Sequence, residues 1–203
     1  MRIAFHVNSF MTGGIERVLI QHLRSFDRSK VQLTLLITFQ FPDLEVLLKE
    51  VPADVEVIHL LNKPIFNNTR ELRALSKLPV WARPFDELMQ APRKIYARKR
   101  FKEISKRLDV IVDFDVTLTS LLKSFSGKKI GWFHFSVKNY HHGKAARLRK
   151  LGRQFSTYDK IVMISDQMKA EALEMYPTIP EKFVRLYNGF DFDSLRKKAA
   201  DET

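Results

Sequence analysis

Apolar and polar positions switch between two periods along this chain, and the switching predicts a fold. Arg2 to Ser9 sets Ile3, Phe5 and Val7 among small or polar neighbours, as a strand does; Ile15, Leu19, Leu23 and Phe26 then recur at helical spacing. Val31 to Phe39 is a nearly continuous apolar run, the mark of a strand buried on both faces of a parallel sheet. Leu44 to Val51 reads as a short helix and Val55 to Leu60 as a third strand. Asn62 to Pro84, punctuated by Pro64, Asn67, Asn68, Pro79 and Pro84, is expected to be an irregular connection. From Pro92 a helical stripe returns, with Ala97, Phe101, Ile104 and Leu108 on one side and Arg98, Lys99, Lys102 and Lys106 on the other.

The second half repeats the alternation. Asp109 to Asp115 is a strand, Leu118, Leu121, Leu122 and Phe125 form a helical face that ends at Gly127, and Ile130 to Phe135 is the next strand. A helix from about His142 to Tyr158, a strand over Lys160 to Ile164, a helix from Gln167 to Tyr176 and a last strand over Phe183 to Tyr187 follow. Asn188-Gly189 is then a turn before a short polar helix over Ser194 to Ala200. Parallel strands need crossovers, so this order predicts a doubly wound α/β domain with a mostly parallel, Rossmann-like sheet over residues 1–190, and a linker helix beginning in 191–203. Ligands in such folds bind beyond the carboxyl ends of the strands. That rule directs attention to Asn8 to Gly14, Asp113 to Thr117, His134 to Tyr140, Ser165 to Gln167 and Tyr187 to Asp191, which should share one rim.

Composition narrows the chemistry. The 203 residues, 45% of them hydrophobic, suffice for a sizeable core. Zero cysteines exclude disulfides, thiol catalysis and cysteine metal sites. No run reaches the ~18 uninterrupted apolar residues of a spanning helix, and the N-terminus lacks a signal-peptide pattern, so a cytoplasmic location is expected. The net charge of +12 is concentrated in two segments, 83–107 at +6 and 128–153 at +8, which leaves the remainder at −2. Charge gathered in this way points to an anionic partner such as lipid headgroups, nucleic acid or a phosphorylated substrate.

Gly13 and Gly14 stand between the first strand and the first helix. There a backbone able to turn with positive φ, together with the free N–H groups and dipole of the helix start, would suit a phosphate; a plain turn is the alternative. The loop has no G-x-G-x-x-G and the second strand ends in Thr38-Phe39-Gln40 without an acid for a ribose, which argues against a dinucleotide-dependent dehydrogenase. No Walker sequence occurs, which argues against a nucleotide kinase or GTPase.

Three stretches in order, "IAFHVNSFMTGGIERVL", "VMISDQMKAE" and "VRLYNGFDFDSLR", together with the shorter "IGWFHFSV", resemble the N-terminal domain of GT-B retaining glycosyltransferases of family 4. The resemblance implies transfer of a sugar from a nucleotide-sugar diphosphate, with the anomeric configuration kept, and no cofactor or metal. It places Gly13 and Gly14 near the donor diphosphate or the acceptor, His134 at the sugar, and Asn188 and Gly189 at the crossing into a second domain. Asp115, at the tip of its strand, would orient an acceptor hydroxyl, the alternative being a loop-stabilising carboxylate. His141 and His142 show no metal-ligand spacing.

Family members are about twice as long, and in them the donor-gripping residues lie largely in the second domain. The chain therefore reads as an acceptor-side half, inactive alone. Its acceptor would be lipid-linked or a surface glycan. An anionic membrane surface on the inner face of the cell membrane would meet segments 83–107 and 128–153, with Trp132, Phe133, Tyr140 and Phe155 as apolar anchors or, alternatively, as core. Nucleic acid is not expected as a partner, although a basic nucleic-acid-binding module, or the non-catalytic subunit of a two-chain transferase, is the competing interpretation.

Overall fold

The computed structural model describes residues 1–189. Seven strands, β1 (Arg2–Val7), β2 (Gln32–Phe39), β3 (Glu56–Leu61), β4 (Val110–Asp113), β5 (Lys128–Phe133), β6 (Lys160–Met163) and β7 (Phe183–Arg185), form one sheet in the order β3-β2-β1-β4-β5-β6-β7. Every neighbouring pair is parallel, with Phe5 opposite Leu35 on one side and Val112 on the other. The chain order reverses between β1 and β4. A crevice opens there at the carboxyl edge, because the connections leaving those two strands diverge to opposite faces.

Strand alternation decides which helix each side chain meets. Ile3, Phe5 and Val7 of β1, with Leu33, Leu35 and Ile37 of β2, pack against Leu19, Ile20 and Leu23 of α1 (Gly14–Ser25). Ala4, Leu36, Leu60 and Ile111 point the other way, into a core with Phe101, Leu122, Leu151 and Phe155. These come from α4 (Gln90–Ser105), α5 (Thr119–Leu122) and α6 (Ala145–Phe155), with Met168 and Ala172 added by α7 (Asp166–Met175). Phe155 centres that layer, its ring edge-on to Phe133, Tyr176 and Phe183 at 5.3, 5.4 and 5.8 Å. Burying such a ring contributes about 3 kcal/mol.

Several expected elements differ. The connection over 62–84 is largely helical: α2 (Pro64–Ala74) is followed by α3 (Arg83–Leu88) after a short 3-10 turn. Pro64 and Pro84 sit in the first turns of these helices, where a missing N–H costs nothing, so prolines that suggested irregularity instead mark starts. The helix expected over Leu118 to Phe125 shrinks to one turn at Thr119–Leu122. The helix expected from His142 begins at Ala145, because His141 and His142 take positive φ of 49° and 58° in the turn before it. Trp132, Phe133 and Phe155 are buried and Tyr140 is half-buried, so none of the four is an exposed anchor. The stretch after Gly189, with the helix expected over 194–200, lies outside the described residues.

One glycine joins the fold to the site. A Cβ built on Gly131 of β5 would meet the Tyr158 ring at 3.2 Å, and Tyr158 is sealed at 1% exposure. The ring has no free space into which to retreat, so Gly131→Ala should destabilise the domain by about 1–3 kcal/mol. A urea titration of the two proteins checks this; an unchanged midpoint would show that the ring moves without cost.

Candidate functional site

The crevice between β1 and β4 is built around Asp113, the last residue of β4, whose side chain is completely buried. Its carboxylate accepts bonds from His6 Nδ1 at 2.9 Å, the Tyr158 hydroxyl at 2.5 Å, and the backbone N–H groups of Leu118 at 2.7 Å and Thr117 at 3.2 Å. Burial pushes the Asp113 pKa up, but the bonds from His6, Tyr158 and Leu118 outweigh it and hold the group below the usual carboxylate range. The same contact, with burial, drives the Tyr158 hydroxyl far above the usual range, so it remains a donor. The other ring nitrogen of His6 lies 2.8 Å from Thr38 Oγ1 at the end of β2. Three adjacent strands and the α6–β6 junction are thus tied at one point.

Asp115 is two residues further along and differs in kind. Its oxygens accept from the Asn8 N–H at 2.8 Å and the Thr117 hydroxyl at 2.5 Å, and one lies 3.8 Å from His6 Nδ1. Burial, followed by the charge on Asp113, pushes its pKa up to about 6. Between Asp115 and Thr117, Val116 sits at φ 56°. A β-branched residue rarely adopts that conformation, which marks stored backbone strain, and burial of its side chain helps to hold it there. The strained turn faces a cavity of about 600 Å³ lined by Asp115, Thr117, Ile15, Phe135, Ser136 and Tyr140, among others. Tyr140 is itself pushed up, by burial and by the Asp115 charge.

The expected residues fall in different places on this rim. All follow carboxyl ends of parallel strands, yet only Asp115 lines the cavity itself. Gly13 caps α1 with extended φ of −157°, and neither it nor Gly14 has positive φ, so the conformational argument for these glycines fails. Space supports one of them better: a Cβ on Gly14 would meet nothing within 4 Å, leaving bare backbone at the start of α1. Over Gly13 lies the Glu16 carboxylate, whose Oε2 would be 2.5 Å from an added Cβ. Burial raises the Glu16 pKa, and hydrogen bonds from its own N–H and that of Met11 oppose the rise. A carboxylate of the chain therefore already occupies the electropositive helix end.

His134 follows β5 on the opposite side of the sheet from Asp113. Its ring packs on Phe114 at 4.6 Å and runs nearly parallel to Trp132 at 6.5 Å, and burial lowers its pKa to about 4, leaving it neutral. Nε2 of His134 has no hydrogen-bond partner among the described residues. Asn188 and Gly189 follow β7, three strands from β4 and hence about 14 Å along the edge. His6 and Tyr158 were not anticipated, and Asp113 and Val116 were expected only as members of the rim stretch Asp113 to Thr117, with no role of their own. His6 alone left a signal, a polar side chain inside a strand that parallel crossovers must bury. Ligand atoms of His6, Asp113 and Asp115 come within 4.8 Å of one another, the single such group among the described residues. Asp113 already accepts four hydrogen bonds, so a cation there would have to displace bonds that shape the loop.

The model of Glycosyltransferase Family 4 matches residues 12–194. No curated protein matches the chain by sequence. Among solved structures, Anabaena HepE in complex with UDP and glucose is similar at 16% identity and a TM-score of 0.62, covering 98% of this chain and 50% of that one. Phytolacca americana UGT2 complexed with UDP-2fluoro-glucose and pterostilbene is similar at 11% identity and TM-score 0.58, covering 96% and 56%. An α-glucosyltransferase in complex with UDP-glucose and abasic-site DNA is similar at 12% and 0.53, covering 97% and 45%. The chain spans about half the length of the structures it matches, and the likeness establishes one half of a GT-B fold.

The raised pKa of Asp115 has a thermodynamic consequence. Between the ordinary value of 3.8 and the folded value of about 6, the folded protein keeps a proton that the unfolded chain has released, so this group makes stability fall as pH rises through that window. Chemical denaturation of the wild type and Asp115→Asn across that window should show the wild type losing ground relative to the variant as pH rises. Parallel pH profiles would contradict the assignment.

Proposed function

The chain belongs to glycosyltransferase family 4, and on that premise we propose that it is the acceptor-side half of a retaining transferase that delivers a sugar from a nucleotide-sugar diphosphate to a glycan or lipid-linked acceptor. The observation that carries this reading is the cavity at the β1–β4 crevice with Asp115 on its wall. Asp115 is ionised at neutral pH, yet its environment holds it close enough to protonation to bind an acceptor hydroxyl strongly. The carboxylate aligns that hydroxyl and helps to take up its proton as the new bond to the anomeric carbon forms and the bond to the diphosphate breaks. Asp113, by locking the loop, keeps Asp115 within the small positional error that such alignment tolerates.

The departing diphosphate gathers negative charge as the bond breaks, and backbone N–H groups at Gly13 and Gly14 would meet part of it. For that, the Glu16 carboxylate must leave the helix end, since two anions would otherwise share one site. His134, neutral, would meet the sugar only once its contacts with Phe114 and Trp132 open, since its unpartnered Nε2 is buried and the residue does not line the cavity. The remaining phosphate grip belongs to a donor-binding domain of the kind that fills the other half of the GT-B structures.

Two measurements test the reading. Incubation of this chain alone with labelled nucleotide sugars and a cell-envelope extract should give no transfer; transfer would overturn the half-site assignment. On a glycan and glycolipid array the chain should retain ligands that Asp115→Asn retains about tenfold less. An array on which no ligand depends on Asp115 would overturn the acceptor assignment.

A further inference from the structure

The stretch from Val116 to Tyr158 holds nine lysines and arginines and not one aspartate or glutamate. Part of this charge gathers around a groove between α5 and α6. Lys150, Arg153, Gln154 and Thr157 recur at spacings of three and four, so they form one ridge along α6 and just past its end. Leu151 and Phe155 of the same helix turn into the core and hold that ridge in place. Thr119 and Ser120 of α5, with Lys123 directly after it, make the opposite wall. The space enclosed is about 360 Å³.

Every residue that lines the groove is polar, and among the described residues none is an acid or an aromatic. Neighbouring cations are matched: Lys138 pairs with Glu174 at 2.6 Å, Lys160 donates to the Glu181 carbonyl at 2.8 Å, and Lys182 donates to the Ser156 and Tyr158 carbonyls at 2.8 and 2.7 Å. Lys123, Lys150 and Arg153 form no ion pair among the described residues. Like charges three residues apart on a helix repel, and a concave wall concentrates their field. An anion in the groove relieves that repulsion.

We propose that the groove between α5 and α6 binds a small soluble polyphosphate, with Lys123, Lys150 and Arg153 meeting its charges and the hydroxyls of Thr119, Ser120 and Thr157 donating to its oxygens. The chemistry of the walls selects this class. Several cations and short hydroxyl donors around one concavity suit an anion with multiple charges and many acceptor oxygens, whereas a lone carboxylate would satisfy only part of them. No aromatic or aliphatic lining offers a nucleobase or an acyl chain a surface to pack on, so the phosphate groups alone are recognised. Gln154 links the groove to the crevice. Its Nε2 donates to the Val116 carbonyl at 3.3 Å and keeps a second hydrogen for an anion. A bound polyphosphate would therefore orient Gln154 and steady the strained turn at Val116, next to Thr117 and Leu118.

Calorimetric titration of the intact chain with tripolyphosphate at physiological ionic strength should show one site. Lys150→Gln combined with Arg153→Gln, both at exposed positions, should weaken binding about tenfold or more, and Lys123→Gln on the other wall should weaken it too. Lys99→Gln combined with Lys102→Gln removes the same charge from α4 and should leave the affinity unchanged. Tripolyphosphate should also slow hydrogen exchange at the Thr117 and Leu118 amides in the wild type and not in the Lys150→Gln, Arg153→Gln variant. The proposal is overturned if no binding is seen, or if the α4 variant loses as much affinity as the groove variant, which would mean general attraction to a basic protein. Binding that leaves exchange at Thr117 and Leu118 untouched would place the anion elsewhere and also overturn it. Displacement of tripolyphosphate by phosphatidylglycerol vesicles would identify lipid phosphate as the ligand and overturn the soluble source.

Discussion

A carboxylate sealed inside a protein persists only when its oxygens are supplied with donors, and Asp113 draws four of them from three parts of the chain. His6 reaches it from β1, Tyr158 from the α6–β6 junction, and Thr117 and Leu118 through backbone N–H groups of its own loop. The bond network fixes the gap between β1 and β4 at the place where chain order reverses. Gly131 takes part indirectly, because the Tyr158 ring lies against β5 where any larger residue would stand. Loss of one donor would leave a buried charge under-satisfied, so the network acts as a unit.

The rigidity at Asp113 fixes the loop that carries Asp115. Two aspartates separated by one residue acquire opposite behaviour from their surroundings: the first is held below the usual range by its donors, and the second is raised to about 6 by burial beside that charge. Divergent carboxyl environments of this kind separate structural from chemical roles. Strain at Val116 lies between them, where a loop must satisfy Asp113 and still present Asp115 to the cavity. The geometry of the crevice therefore comes from a buried group that does not itself line the cavity.

Buried charge serves another end near the β3 edge. Around Asp86, three arginines and a threonine join α2, α3 and α4. Val80, Trp81, Leu88 and Ile95 nearby are left exposed. The domain consequently presents an apolar face to its surroundings at the same time as its own sheet is covered by helices on both sides.

The seven-stranded parallel architecture was legible in the sequence because burial by crossovers forces continuous apolar strands and a 3.6-residue helical period, and both are local signals. Asp115 was legible as well, standing at the end of a strand in a fold whose ligands gather at strand ends. Prolines in 62–84 misled, since Pro at a helix start and Pro in a loop look alike until the next turn is known. Gly13 and Gly14 were singled out for a backbone conformation they do not adopt; an unfilled space at Gly14 is a property of neighbours, which no local pattern records. His134 was placed on the correct rim, but its facing away from Asp113 follows from strand parity combined with pairing register. The Asp113 network and the Asp86 clamp were invisible for the same physical reason. Each joins residues far apart in the chain, whose charges are tolerated only because folding brings donors to them, so sequence determined the elements and the edge where they converge, whereas only the tertiary structure decided which polar groups are locked and which face the crevice.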